Sequence, residues 1–261
     1  MKLFITFLFL FLLGSMIGYV IELFFRRFVS MKRWINPGLL HGPWLPIYGF
    51  GLCLLFFFSN MFTYCDISLN FHLEAFLCIL LFGVAATLLE YVGGMIFCKL
   101  MHIKLWDYSN MKGNIKGVIC PQFTALWIIA AIMYYFLLKT PFNNLFNLIY
   151  EYMFTANNIW LILVIGLLYG LLIGDFISII KPFTTISSIA KENKYVVEWE
   201  NIKLHIKKNI KDKSSLSTII LIDNFILKAK NGIIKPLTKI KEKFLIKNTN
   251  QNNNKEEKPN E

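Results

Sequence analysis

The sequence predicts an all-α polytopic transmembrane helix bundle of about five spans, followed by a basic amphipathic cytoplasmic tail. Three observations predict it. The 261-residue chain is 56% hydrophobic. Its long apolar runs all fall within residues 1–181, where a soluble domain would mix apolar and polar residues. The excess of basic residues behind its net charge of +11 lies mainly further on, with 14 lysines against 6 acids between residues 182 and 247. The predicted organisation is a transmembrane bundle over 1–181, basic amphipathic helices over 182–247 and a disordered Asn/Lys/Glu-rich end over 248–261.

A bilayer core requires about 20 apolar residues in a helix. Runs near 3–25, 45–62, 71–97, 118–138 and 160–180 meet that length. The first is too long for a signal peptide, has no clear small-x-small cleavage site and is followed by Arg26 and Arg27. The stretch 141–155 is apolar only in patches and is expected on the outer surface. Loop charge sets the orientation. Arg26, Arg27, Lys32 and Arg33 follow the first span, and Lys99, Lys104, Lys112 and Lys116 follow the third. The second loop has no Lys or Arg, and the fourth has only Lys139 at its border. The positive-inside rule places the N-terminus outside and the tail in the cytoplasm, as a multi-pass protein of the cell membrane.

Within the spans, Glu22, Glu90 and Asp175 fall in the predicted cytoplasmic half. A charge at mid-bilayer costs at least ~2.5–3.5 kcal/mol, so such acids face a bundle interior or a water-filled cavity. Gly14, Gly18 and Glu22 share one helix face, and Gly83, Ala86, Glu90 and Gly94 share another. Gly166, Gly170 and Gly174 form a third stripe, with Asp175 one step off it. Small residues let membrane helices approach closely, so all three stripes are expected at helix contacts. Three roles stay open for the acids: packing partners of Arg26, Lys99 or a tyrosine; a substrate or ion pathway; or a snorkelling position at the interface.

The first cytoplasmic loop, residues 36–51, holds three prolines and four glycines, which prevent a continuous helix. It is expected either to fold back against the bundle as a re-entrant entry or to form a tight turn anchored by Trp44 and Tyr48. The third loop carries Trp106, Asp107, Tyr108 and Ser109, with Asp107 or Ser109 suited to cap a short helix. His41, Tyr48, Asp107 and Tyr108 are the expected rim of a cytoplasm-facing pocket, with Trp106 beside them. In the tail, Val196, Trp199, Ile202, Ile206 and Ile210 recur at helical spacing among lysines. Ile222, Phe225, Ile226, Ile233, Leu237, Ile240 and Phe244 form a second apolar set. Such helices lie on anionic lipid, bind a partner helix or fold on each other.

Several function classes are excluded by missing motifs. There is no Gly-x-x-x-x-Gly-Lys-[Ser/Thr] run, so the chain has no ATP site of its own. There is no His-Glu-x-x-His and no Gly-x-Ser-x-Gly. The four histidines are scattered, and His72 is predicted on the side opposite His41. Cys53, Cys65, Cys78, Cys98 and Cys120 form no Cys-x-x-Cys and read as free thiols. No metal, cofactor or nucleic-acid partner is predicted.

The order of Glu22, the Gly-Pro-x-x-Pro-Ile-Tyr-Gly run from Gly42 to Gly49, Leu89-Glu90-Tyr91, Trp106-Asp107-Tyr108-Ser109, Asn114-Ile115-x-Gly117 and Trp127 resembles the CmpB-like family of small bacterial multi-pass membrane proteins described as ABC-transporter permeases. The resemblance covers roughly residues 10–180 and leaves the tail unmatched. This chain has Cys98 where many members carry a second Glu in the third span, and Ile128 where a Gly often follows the Trp. The resemblance implies a permease-like transport component, served by a separate ATPase or other membrane subunit, or by further copies of itself. From the residues alone, a non-transporting scaffold or assembly factor stays open. So does a membrane-embedded enzyme acting on a lipid-linked substrate through a buried carboxylate.

Overall fold

A computed structural model describes residues 2–30, 32, 34–155, 159–192, 196–200 and 202. The second amphipathic set of the tail and the segment 248–261 lie outside the described residues. The described elements are six helices: α1 (Lys2–Phe25), α2 (Pro46–Tyr64), α3 (Phe71–Met95), α4 (Pro121–Met133), α5 (Lys139–Thr155) and α6 (Ile159–Glu192). Two strands of two residues each, β1 (Ile103–Lys104) and β2 (Val197–Glu198), complete them. Five helical stretches are long and apolar enough to cross a membrane: Leu3–Ser30, Pro46–Tyr64, Phe71–Leu100, Pro121–Tyr152 and Trp160–Glu192. These correspond to the five expected spans, and the chain is a multi-pass helical membrane protein.

Local sequence explains the helix ends. Pro46 and Pro121 stand in the first turns of α2 and α4, where a missing N–H costs nothing. Asn70 caps α3, its side chain accepting the Leu73 amide at 2.8 Å. Wide π-type turns follow α1 at Arg26–Ser30, α3 at Ile96–Leu100 and α4 at Tyr134–Leu138.

Glycine sets how close the helices come. A Cβ on Gly14 would lie 2.8 Å from Leu52 Cβ and 2.8 Å from the Tyr48 carbonyl. A Cβ on Gly18 would fall inside the Tyr48 side chain, and one on Gly49 inside the Ser15 hydroxyl. The first stripe therefore lies against α2. In α3, Gly83 faces Ile128 of α4, and Gly94 faces Val118 and Trp106. The third stripe behaves differently. A Cβ on Gly166, Gly170 or Gly174 would meet nothing within 4 Å among the described residues. The expected contact is absent because α6 packs through its other faces, by Tyr169 to Leu8 and by Asp175 to the first loop.

α5 is more deeply engaged than a surface segment. Continuing from α4 through the π-type turn, the chain meets α3 first, where Lys139 and Tyr135 reach Glu74. It then meets α2, where Asn143 and Asn60 exchange hydrogen bonds at 2.8 and 3.3 Å. Last it meets α1, where Phe146 packs edge-on against Phe9. Phe142 and Phe146 thus join Leu10 and Phe56 in the bundle core.

α6 also runs past its expected end, to Glu192 and through Pro182. Its continuation buries Ile179, Phe183, Ile186, Ser187 and Ala190 on one face. Phe183 sits edge-on to Phe97 and packs on Trp199. The tail begins extended rather than helical at Val197, because Val197 and Glu198 pair in parallel with Ile103 and Lys104. Trp199 and Ile202 then bury themselves at 3% and 4% exposure.

Candidate functional site

Glu22, Tyr48, Glu90 and Tyr108 come together from α1, α2, α3 and the third loop. Glu22 Oε1 accepts from Arg26 Nε at 3.1 Å, and its Oε2 accepts from the Tyr48 hydroxyl at 3.0 Å. Arg26 also donates to the Glu200 carboxylate, which follows β2. Glu90, 4% exposed, accepts from the Tyr108 hydroxyl at 2.9 Å and from Trp127 Nε1 at 3.3 Å. Tyr48 and Trp127 pack with ring centroids 5.6 Å apart, so the two carboxylates are bridged by touching aromatic rings. Gly51 leaves the Trp127 ring room at 3.2 Å.

The two acids differ in charge balance. Glu22 has a guanidinium partner. Glu90 makes no ion pair among the described residues, and its contacts are a phenol and an indole N–H. Counted along α3, Glu90 lies about 28 Å from Phe71, and along α1 Glu22 lies about 30 Å from Lys2. Both acids therefore lie toward the helix ends that lead into the first and third loops.

The third loop is folded to deliver Tyr108. Its amide donates to the Gly117 carbonyl at 2.8 Å, and Ile115 bridges Ile119. Asn114 ties the turn by donating to the Ser109 and Met111 carbonyls and accepting from the Gly117 amide. Gly117 is required twice over, by its φ of +69° and by the Asp107 and Ser109 oxygens where a Cβ would stand. Trp106 donates its indole N–H to the Val118 carbonyl at 2.8 Å, a supporting contact rather than one at the carboxylates. Tyr108 stacks on Phe123 at 4.4 Å. Burial and the neighbouring Glu90 carboxylate push the Tyr108 phenol well above its ordinary value, so it stays a donor.

Asp107 accepts from the Ser109 hydroxyl, from the Ser109 amide at 2.9 Å and from Lys104 Nζ at 3.1 Å. Burial alone would raise its pKa; the Ser109 and Lys104 contacts outweigh that and hold it below the usual carboxylate range. A carboxyl depressed in the folded state stabilises fully above its unfolded pKa of about 3.9, and that support is lost as pH falls through the folded value. Asp107→Asn is therefore expected to be less stable than the parent at pH 7 and to show a flatter loss of stability below about pH 4. Thermal unfolding across that range measures both; parallel curves for the two proteins would count against it.

His41 and Asp175 form a second cluster. Asp175 accepts the Gly42 amide at 2.8 Å, the His41 amide at 3.1 Å and His41 Nδ1 at 2.8 Å. His41 Nε2 is buried and without a partner among the described residues. The loop is held internally by Asn36, which donates to the Leu40 and His41 carbonyls. Leu40 and Trp44 are buried at 3% and 5% exposure. The Leu45 amide donates to the Ser15 carbonyl at 3.1 Å, seven residues before Glu22. The chain thus enters α2 beside Ser15, about 10 Å along α1 from Glu22. This cluster joins the first loop to α6.

Two participants are not marked by charge within an apolar run. Trp127 is marked in the sequence only by the family resemblance, and its role shows once Glu90 is placed opposite it. Glu200 follows the last span by too far for any periodicity to bring it to Arg26.

A family model described as "Putative ABC-transporter type IV" matches residues 9–191. No curated protein and no solved structure matches the chain.

Proposed function

This chain belongs to that family, and on that premise we propose that it is a permease-like transport component without an ATPase of its own. Glu22 and Glu90 line its polar entry, while Tyr48, Trp127 and Tyr108 position them. The observation that carries this reading is Glu90: a carboxylate buried among helices, without an ion pair among the described residues, held by a phenol from the third loop. Intramembrane acids so placed mark substrate and ion pathways. The basic loops at this end argue for a cytoplasmic opening, with the N-terminus outside and the tail on anionic lipid of the cell membrane. A separate ATPase, another membrane subunit or further copies of the chain complete the transporter.

The test is ATP-dependent accumulation of a labelled solute panel in inverted vesicles from cells with and without the chain. Glu90→Gln keeps the shape, removes the charge, and is expected to lower uptake at least tenfold at equal expression. A scaffold would tolerate that substitution, and uptake that is indifferent to it sinks the reading. The His41–Asp175 pair, with its unpartnered Nε2, favours the second reading of a membrane-embedded enzyme. That reading requires product formation in detergent, without a gradient, abolished by His41→Gln.

A further inference from the structure

Polar groups continue along α3 well beyond Glu90. About 24 Å away on the same helix, Glu74 accepts from Lys139 Nζ at 2.8 Å and from the Tyr135 hydroxyl at 3.0 Å. Between these two acids, Leu55, Ser59, Cys78, Ile79, Phe82 and Tyr134 line a small, partly open void of about 10 Å³. That is room for about one water molecule. Its walls are partly polar. Tyr134 is 2% exposed, and its hydroxyl lies beside Ser59 without a hydrogen bond of normal geometry among the described residues. Ser59, 3% exposed, donates to the Phe56 carbonyl and accepts from Asn60, leaving acceptor capacity. An apolar void of this size stays empty; the Tyr134 and Ser59 hydroxyls offer this one two polar partners for a water.

On the Glu90 side the void is closed by Phe82, 1% exposed, which packs on Trp127 at 6.3 Å with Ala86 and Ala131 beside it. Trp127 is the residue that donates to Glu90. Along the α2–α3–α4 seam the polar groups therefore run from Glu90 and Trp127 to Tyr134 and Ser59, then to Glu74 and Lys139. The Phe82 layer is the apolar interruption.

We propose that this seam is the second leg of the transport pathway, that the void seats one water molecule, and that Phe82 is the gate between the two legs. The proposal rests on the reading of Glu22 and Glu90 as the pathway's other end. Opening the gate requires that the Phe82 ring leave a layer it shares with Ala86, Ala131, Leu55 and Ile79. A water chain could then join the Tyr134 phenol to the Glu90 carboxylate.

The test uses the full chain in liposomes loaded with a pH-reporting dye, with the membrane potential clamped and a proton gradient imposed. Phe82→Ala is expected to raise proton flux at least tenfold over the parent chain, and Phe82→Leu to leave it near the parent rate. Adding Tyr134→Phe to Phe82→Ala is expected to lower the flux at least fivefold. Where Phe82→Ala does not purify as a monodisperse species, Phe82→Val takes its place. A monodisperse small-residue variant with the parent's flux overturns the proposal, as does a leak indifferent to Tyr134. Adding Glu90→Gln to the leaky variant separates the two ideas. A leak that persists without Glu90 keeps the gate and removes Glu90 from the pathway. A missing leak beside Glu90-dependent solute uptake keeps the entry site and removes the gate.

Discussion

Arg26→Ala will lower the thermal midpoint of the purified chain by ~6–12 °C. Arg26 holds Glu22 through Nε and Glu200 through Nη1, with its side chain 12% exposed. Removing it leaves Glu22 with the Tyr48 hydroxyl and takes from Glu200 its partner in the turn after α1. Breaking one partner of a buried pair costs about 3–5 kcal/mol, because a charge is stranded away from water. Partial exposure of both acids places this case near 3 kcal/mol, and a domain of this size loses about 2–4 °C per kcal/mol. Lysine will not restore it, since one ammonium cannot reproduce a guanidinium that addresses two carboxylates from different edges. Glu200→Gln alone will cost less, because Arg26 keeps Glu22. In the double variant the losses will be less than additive, the sign of a shared partner. An unchanged midpoint for Arg26→Ala would show that the bridge carries no stability. The same geometry ties the start of the tail to the intramembrane acids: Glu200 follows the β2 strand, which is paired to the third loop, and that loop supplies Tyr108.

What the sequence discloses and what it hides follow physical lines. Five spans are visible because each needs its own unbroken apolar run, a property of consecutive residues. Glu22 and Glu90 stand out because a carboxylate in such a run is costly, and their shared faces with glycine point them at neighbouring helices. The pairing of Glu22 with Tyr48 depends on helix register, which no single run records. Glu74 stands in the opening turn of its helix, where an acid resembles ordinary N-terminal charge. Only the path of α5, turned across α3, α2 and α1 after the Tyr134–Leu138 turn, brings Lys139 to it. The stripe at Gly166, Gly170 and Gly174 shows the converse limit. Small residues permit close approach without supplying a partner, and among the described residues none arrives.

Gly18→Leu will prevent recovery of folded protein, and Gly170→Leu will not. The position a Cβ would take on Gly18 is already occupied by Tyr48 Cβ and Cγ, atoms fixed to the α2 backbone. Even Gly18→Ala must push the helices apart or turn Tyr48 out, an overpacking cost of about 1–3 kcal/mol. Leucine adds three further carbons along the same line. Separation of α1 from α2 would also pull the Tyr48 hydroxyl from Glu22 and its ring from Trp127, so the damage reaches the site. At Gly170 a Cβ enters open space, and leucine there adds one apolar side chain to a helix face already rich in them, with Leu167 and Leu171 both 57% exposed. Monodisperse yield by size-exclusion chromatography after identical expression measures both. Parent-level recovery of Gly18→Leu would mean that α1 and α2 do not meet at Tyr48, and the bridge from Glu22 to Glu90 would lose its footing. Failure of Gly170→Leu would instead place a second helix on the α6 stripe, one supplied from outside the described residues of this chain.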